Sequence, residues 1–127
     1  MSKFWKDLPN FESHEFDSPD KPGSGKAGMD ETFMRRLQML RNLYRKPLHV
    51  TSGFRTAAYN QQIGGAASSM HLAGKAADIA ISGTAAFELV GLALAVGFKG
   101  GGVQQKGSHA SRFIRLDLRD VPMIWSY

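Results

Sequence analysis

The sequence predicts an α+β fold: a single compact domain, a small antiparallel sheet with helices packed on it. Three observations predict it. Apolar residues recur at helical spacing around residues 31–45 and 84–96. Short apolar or alternating runs of strand length occupy residues 48–51, 76–81, 103–105 and 112–118. The length of 127 residues suffices for one hydrophobic core but not for two, so a single domain over 1–127 is expected.

Residues 1–28 read as an arm and a loop that pack on the domain. Met1 to Phe16 carries scattered aromatics, Phe4, Trp5, Phe11 and Phe16, and Asp17 to Gly28 is dense in residues that break regular structure. A helix follows. Asp30 is a good N-cap, Glu31 suits the positive end of the helix dipole, and Phe33, Leu37, Leu40 and Tyr44 repeat at helical spacing. Arg35, Arg36, Arg41 and Arg45 form its solvated face, and Pro47 ends it. Leu48-His49-Val50-Thr51 is a strand running into a Ser52-Gly53 turn, and Ala57 to Gln62 is a brief helix. Along Ala76 to Ile81, Ala77, Ile79 and Ile81 share one face while Ala76, Asp78 and Ala80 share the other. Thr84 to Val96 is a second long helix, ended by Gly97. In the last strand Ile114, Leu116 and Leu118 point one way, and Phe113, Arg115 and Asp117 the other.

Composition narrows the function. Hydrophobic residues make up 43% and charged residues 21%, ordinary values for a water-soluble globular chain. No apolar run approaches the ~20 residues that span a bilayer, and the longest, Ala85 to Phe98, contains Glu88. Met1-Ser2-Lys3-Phe4-Trp5-Lys6-Asp7 lacks the apolar core of a signal peptide, so synthesis in the cytoplasm without a Sec-type signal is expected. The absence of cysteine excludes disulfides and thiolate metal sites. A net charge of +5 favours an anionic partner: nucleic acid, acidic lipid or the bacterial cell wall. Helix-turn-helix, zinc-finger and aromatic-plus-basic patterns are missing, which sets nucleic acid behind the others.

The densest chemistry lies in Thr51-Ser52-Gly53-Phe54-Arg55, Asn60 and the run from Ser69 to Asp78. His71 and Asp78 are seven residues apart and split by Gly74, so one helix face cannot carry both. They meet if a loop delivers the histidine and the next strand delivers the aspartate. An imidazole nitrogen and a carboxylate oxygen make a partial ligand set for zinc, whose catalytic sites keep one position open for water.

These residues resemble the M15 family of metallopeptidases, in particular its short bacterial and phage branch that cuts peptidoglycan stem peptides. The spaced pattern Ser69-x-His71-x-x-Gly74-x-Ala76-x-Asp78 is intact, the upstream element stands as Ser52-Gly53-Phe54-Arg55, and Glu15 to Asp20 is similar to the branch's N-terminal segment. The resemblance covers roughly the whole chain and implies an M15/hedgehog-like fold. It implies zinc as cofactor, His71 and Asp78 as ligands, Arg55 paired with a peptide carboxylate, and Ser69 bonded to the substrate backbone or orienting the ligands. Asp117 is the best candidate for the general base of a metal-bound water, if it is not itself a ligand.

One position departs. Where the family's last strand carries a histidine as third ligand, this chain has Arg115, within Phe113-Ile114-Arg115-Leu116-Asp117. A guanidinium has no lone pair to offer a metal. Three readings remain open: His109 reaches in as third ligand, Asp117 ligates directly, or the zinc is lost and Arg115 supplies positive charge in its place. Plainer readings stand beside them. His49 and His14 are surface or packed residues, His109 is a solvated loop residue, and Arg115 with Asp117 is a simple ion pair on a wet strand.

The resulting expectation is a monomeric zinc peptidase acting on stem peptides, as a D-Ala-D-Ala carboxypeptidase or an L-Ala-D-Glu endopeptidase. Lacking a signal, it would reach the wall as an endolysin does, after release through a holin. The rivals are a metal-free wall-binding module of the same fold and a basic nucleic-acid binder.

Overall fold

Strict alternation along two strands builds the centre of the molecule. In a computed structural model that describes residues 3–127, Ala76–Ala80 (β2) pairs antiparallel with Phe113–Asp117 (β4), setting Ala77 opposite Leu116, Asp78 opposite Arg115 and Ala76 opposite Asp117. Met1 and Ser2, the start of the expected arm, lie outside the described residues. His49–Ser52 (β1) adds to β2, with an irregularity between Val50 and Ser52. Gly100–Gln104 (β3) adds to the other side of β4, and Met123–Ser126 (β5) closes the order β1-β2-β4-β3-β5.

The α+β class stands, and the last strand adds to it. The alternating pattern read from the sequence stops at Leu118, yet the final residues form β5, and β5 runs parallel to β3. The sheet is therefore mixed, antiparallel over β1, β2, β4 and β3 only. Through Val121 and Pro122 the chain leaves the end of β4, passes the start of β3 and lies along the far edge of β3.

On one face of the sheet Ala77, Ile79, Ile114 and Leu116 are buried. They join a core with Glu31–Tyr44 (α2) and Gly83–Ala95 (α4), through Phe33, Leu37, Leu40 and Leu89 among others. Burying a side chain such as Leu37 completely contributes about 1.5–3 kcal/mol. Phe33 meets Phe98 edge to face, ring centroids 5.5 Å apart. Asp30 caps α2 as its sequence implies, its side chain accepting from the Phe33 N–H. The helix stops at Tyr44, where Arg45 takes a left-handed conformation (φ 65°) ahead of Pro47.

The arginine stripe of α2 is not uniformly solvated. Arg35 bridges Glu31 and Asp7, and Arg36 reaches across to the carbonyls of Val96 and Gly97, where it caps the C-terminus of α4. In the N-terminal arm Phe4, Phe11 and Phe16 are buried, and the expected loop contains one short helix, Ser24–Gly28 (α1). Asp17 ties it down by accepting from the N–H groups of Gly23 and Gly25. The remaining helix, Ala57–Gln62 (α3), is capped by Thr56. Among the described residues no helix is long and apolar enough to cross a membrane.

Candidate active-site cleft

The polar face of β2 and β4 floors a cleft of about 570 Å³, with Arg55, His71, Arg115 and Asp117 in its lining and Trp125 and Tyr127 on its rim. Each side chain arrives by a local device. Ser69 caps a 3-10 turn over Met70–Ala73, accepting from the His71 N–H, so it orients the histidine. Gly74 ends that turn at φ 69°, and a Cβ there would overlap the Gly28 carbonyl oxygen. The chain then enters β2 and presents Asp78. This is the convergence that the spacing of His71 and Asp78 required.

His71 is completely buried. Its Nδ1 lies 2.6 Å from the Gly53 carbonyl oxygen. A carbonyl only accepts, so Nδ1 carries the proton and, in the neutral ring, Nε2 presents a lone pair. Among the described residues Nε2 has no hydrogen-bond partner, and it stands 3.5 Å from Asp78 Oδ1. Arg55 follows the same β1 turn; its N–H donates to the His71 carbonyl and its Nη1 to Asn60 Oδ1. Asn60 in turn donates to the Ala66 carbonyl, which locks the guanidinium in place. Arg55 Nη2 stands 3.9 Å from Asp78 Oδ2, and among the described residues its buried Nε has no partner.

Asp78 collects these charges. Arg115 Nε donates to its Oδ1 at 2.9 Å. Burial pushes the Asp78 carboxyl upward, but His71 and Arg115 outweigh burial and hold it below the ordinary carboxylate value. Burial, and then the like charge of Arg115, push the Arg55 guanidinium down. Asp117, also buried, is gripped by Arg119, Nε to Oδ1 at 3.0 Å and Nη2 to Oδ2 at 2.6 Å.

His109 does not join this group. It sits in a 3-10 turn before β4, exposed, its Nδ1 3.5 Å from the Ser82 hydroxyl. Register is the reason: Arg115 faces Asp78, and the strand then runs back through Phe113 opposite Ala80, carrying His109 beyond the far end of β2. Of the three expected ligands His71, Asp78 and His109, the structure brings only His71 and Asp78 together. His49 is exposed on β1, and His14 pairs with Glu12 on the surface.

Zinc can be tested against what is present. Two donors bound to one tetrahedral zinc at about 2.1 Å lie about 3.4 Å apart, close to the 3.5 Å between His71 Nε2 and Asp78 Oδ1. The third position holds a guanidinium already bonded to that oxygen, and Asp117 has both oxygens on Arg119. Among the described residues no three His, Cys, Asp or Glu side chains converge as a metal site. The residues of the cleft do not complete a zinc site.

Three contributors were not legible in the motifs: Arg119, Trp125 and Tyr127. Arg119 stacks over Trp125 at 4.2 Å, and Arg115 lies 5.5 Å from the Tyr127 ring. Glycine at position 102 makes the Trp125 placement possible, because a Cβ there would stand 2.8 Å from the indole. The available signal was the alternation Met123-x-Trp125-x-Tyr127, which puts two aromatics on one strand face.

Compared with known proteins, the chain matches the family Peptidase M15 over residues 10–117. That span covers most of the chain, and the chain belongs to the Peptidase M15 family. No curated protein matches it significantly.

Proposed function

On the premise of membership in the Peptidase M15 family, we propose that this cleft recognises the stem peptide of peptidoglycan, Arg55 receiving one of its carboxylates. One observation carries the reading: a buried guanidinium whose Nε lacks a partner among the described residues lines an open cleft. A buried donor left unmade is costly, and a bidentate carboxylate is the ligand that suits its planar fork. The net charge of +5 favours approach to an anionic wall. The proposed working unit is a monomer. Its proposed place of action is the cell wall, reached from the cytoplasm through a holin-type lesion; cells that stay intact when the chain is co-expressed with a working holin count against lytic release.

Titration of purified muropeptides tests the recognition step. Arg55→Ala is expected to weaken binding at least about tenfold, the loss of one charge-assisted pair. Equal binding by both proteins overturns the reading, as does tighter retention on DNA than on sacculi at physiological salt.

Zinc-dependent cleavage of the same peptide, at a D-Ala-D-Ala or an L-Ala-D-Glu bond, is the second reading. It is favoured by His71 Nε2, buried, unpartnered and at ligand-pair distance from Asp78. It requires a third donor from outside the set that the described residues bring together, and a free Asp117. Muropeptide digestion read by mass, with and without added zinc, separates the two: product only with zinc establishes cleavage, and intact peptide in both leaves recognition.

A further inference from the structure

Both carboxylates of the cleft are already neutralised, each by an arginine from the same stretch of chain. Arg115 donates to Asp78 and Arg119 grips Asp117. Each arginine is backed by a ring from β5 or the residue after it. Trp125 lies 4.2 Å from the Arg119 guanidinium, and Tyr127 lies 5.5 Å from that of Arg115. Tyr127 is itself held, its ring 5.3 Å from Phe113 and its N–H on the Val103 carbonyl. Arg119, Trp125 and Tyr127 lie beyond the region that matches the family. Arginine at position 115 is thus seated in a built environment and not merely tolerated.

We infer that Arg115 stands in the place of a metal ion, a built-in cation held between Asp78 and Tyr127 that makes the cleft a metal-independent receptor for carboxylate-bearing peptides. A divalent ion entering between His71 and Asp78 must pull the guanidinium off Asp78 Oδ1 and then sit beside two uncompensated positive charges, Arg55 and Arg115. A peptide meets no such conflict. The Arg55 guanidinium, in the lining of the cleft, suits a carboxylate. Among the described residues Arg115 makes its protein hydrogen bond through Nε alone, which leaves the rest of its fork for the ligand. The inference rests on the proposed reading only for which peptide is bound.

The test is calorimetric titration of zinc into chelator-stripped protein, wild type and Arg115→His. Wild type is expected to take up no stoichiometric zinc. Arg115→His is expected to bind about one zinc per chain at least 100-fold more tightly, because a second imidazole, as third donor beside His71 and Asp78, completes the set. One zinc per wild-type chain overturns the inference, and so does an Arg115→His protein that gains nothing while its circular dichroism matches wild type. Should that variant fail to fold, muropeptide binding by wild type with and without chelator decides. Unchanged affinity supports a built-in cation, and binding lost to chelator and restored by zinc overturns it. Absence of muropeptide binding under every condition removes the stem-peptide reading, and the wild-type zinc titration still decides this one.

Discussion

On the core face of the sheet Ala77, Ile79, Ile114 and Leu116 are sealed against α2 and α4, whereas one residue along on the same strands stand charges, Asp78 and Asp117 buried and Arg115 half-buried. The first face is held by non-directional burial, in which each side chain contributes on its own. The second is held by pairing. Its charges are tolerable only while each has its counter-charge in place, and removing one partner leaves the other stranded. The lesson is that a face of paired charges is stable as a set and fragile as single residues, while its ligand chemistry can be altered by one substitution.

Three changes break or sharpen that contrast. The largest effect is expected in the core. Phe33→Ala removes a fully buried ring from its contact with Phe98 and should cost about 3–5 kcal/mol in urea denaturation, while cleft binding in the folded fraction stays as in wild type. On the cleft face Asp78→Asn should cost about 1–3 kcal/mol at neutral pH, because Arg115 loses its charged acceptor. That loss must depend on pH. Asp78 is depressed below its ordinary 3.8 in the fold, so its contribution is fully present above the unfolded value and disappears as pH falls through the folded one. Thermal melts of the two proteins should therefore diverge most near neutrality and approach one another below about pH 4. A gap that is constant down to pH 2 contradicts the pairing account. The smallest effect is expected away from both faces: Arg36→Ala uncaps the C-terminus of α4 and should cost about 0.5–1.5 kcal/mol, with no change in muropeptide binding.

Much of this architecture could be read from the residues. Phe33, Leu37, Leu40 and Tyr44 announced α2 and its buried stripe, and Asp30 its start, because helix periodicity and capping are local. The alternation of residues 76–80 and 113–117 divided core from cleft correctly, since side chains in a strand change face at every step. β3 was harder. Gly100, Gly101 and Gly102 carry no strand preference, and they are a strand because glycine alone leaves room for Asp117 and Trp125 to cross it. β5 escaped because Pro122 precedes it and its partner strand is some twenty residues away.

The site divides along the same line. His71 with Asp78, and the Ser-Gly-aromatic-Arg element at residues 52–55, were determined by the sequence itself, because a cap, a left-handed glycine and a strand entry act within a few residues of one another. What Arg115 does, and that His109 cannot replace it, was decided only in three dimensions. Asp78 and Arg115 are 37 residues apart, and their meeting depends on the register of β2 against β4, which the burial of Ala77, Ile79, Ile114 and Leu116 on the opposite face enforces.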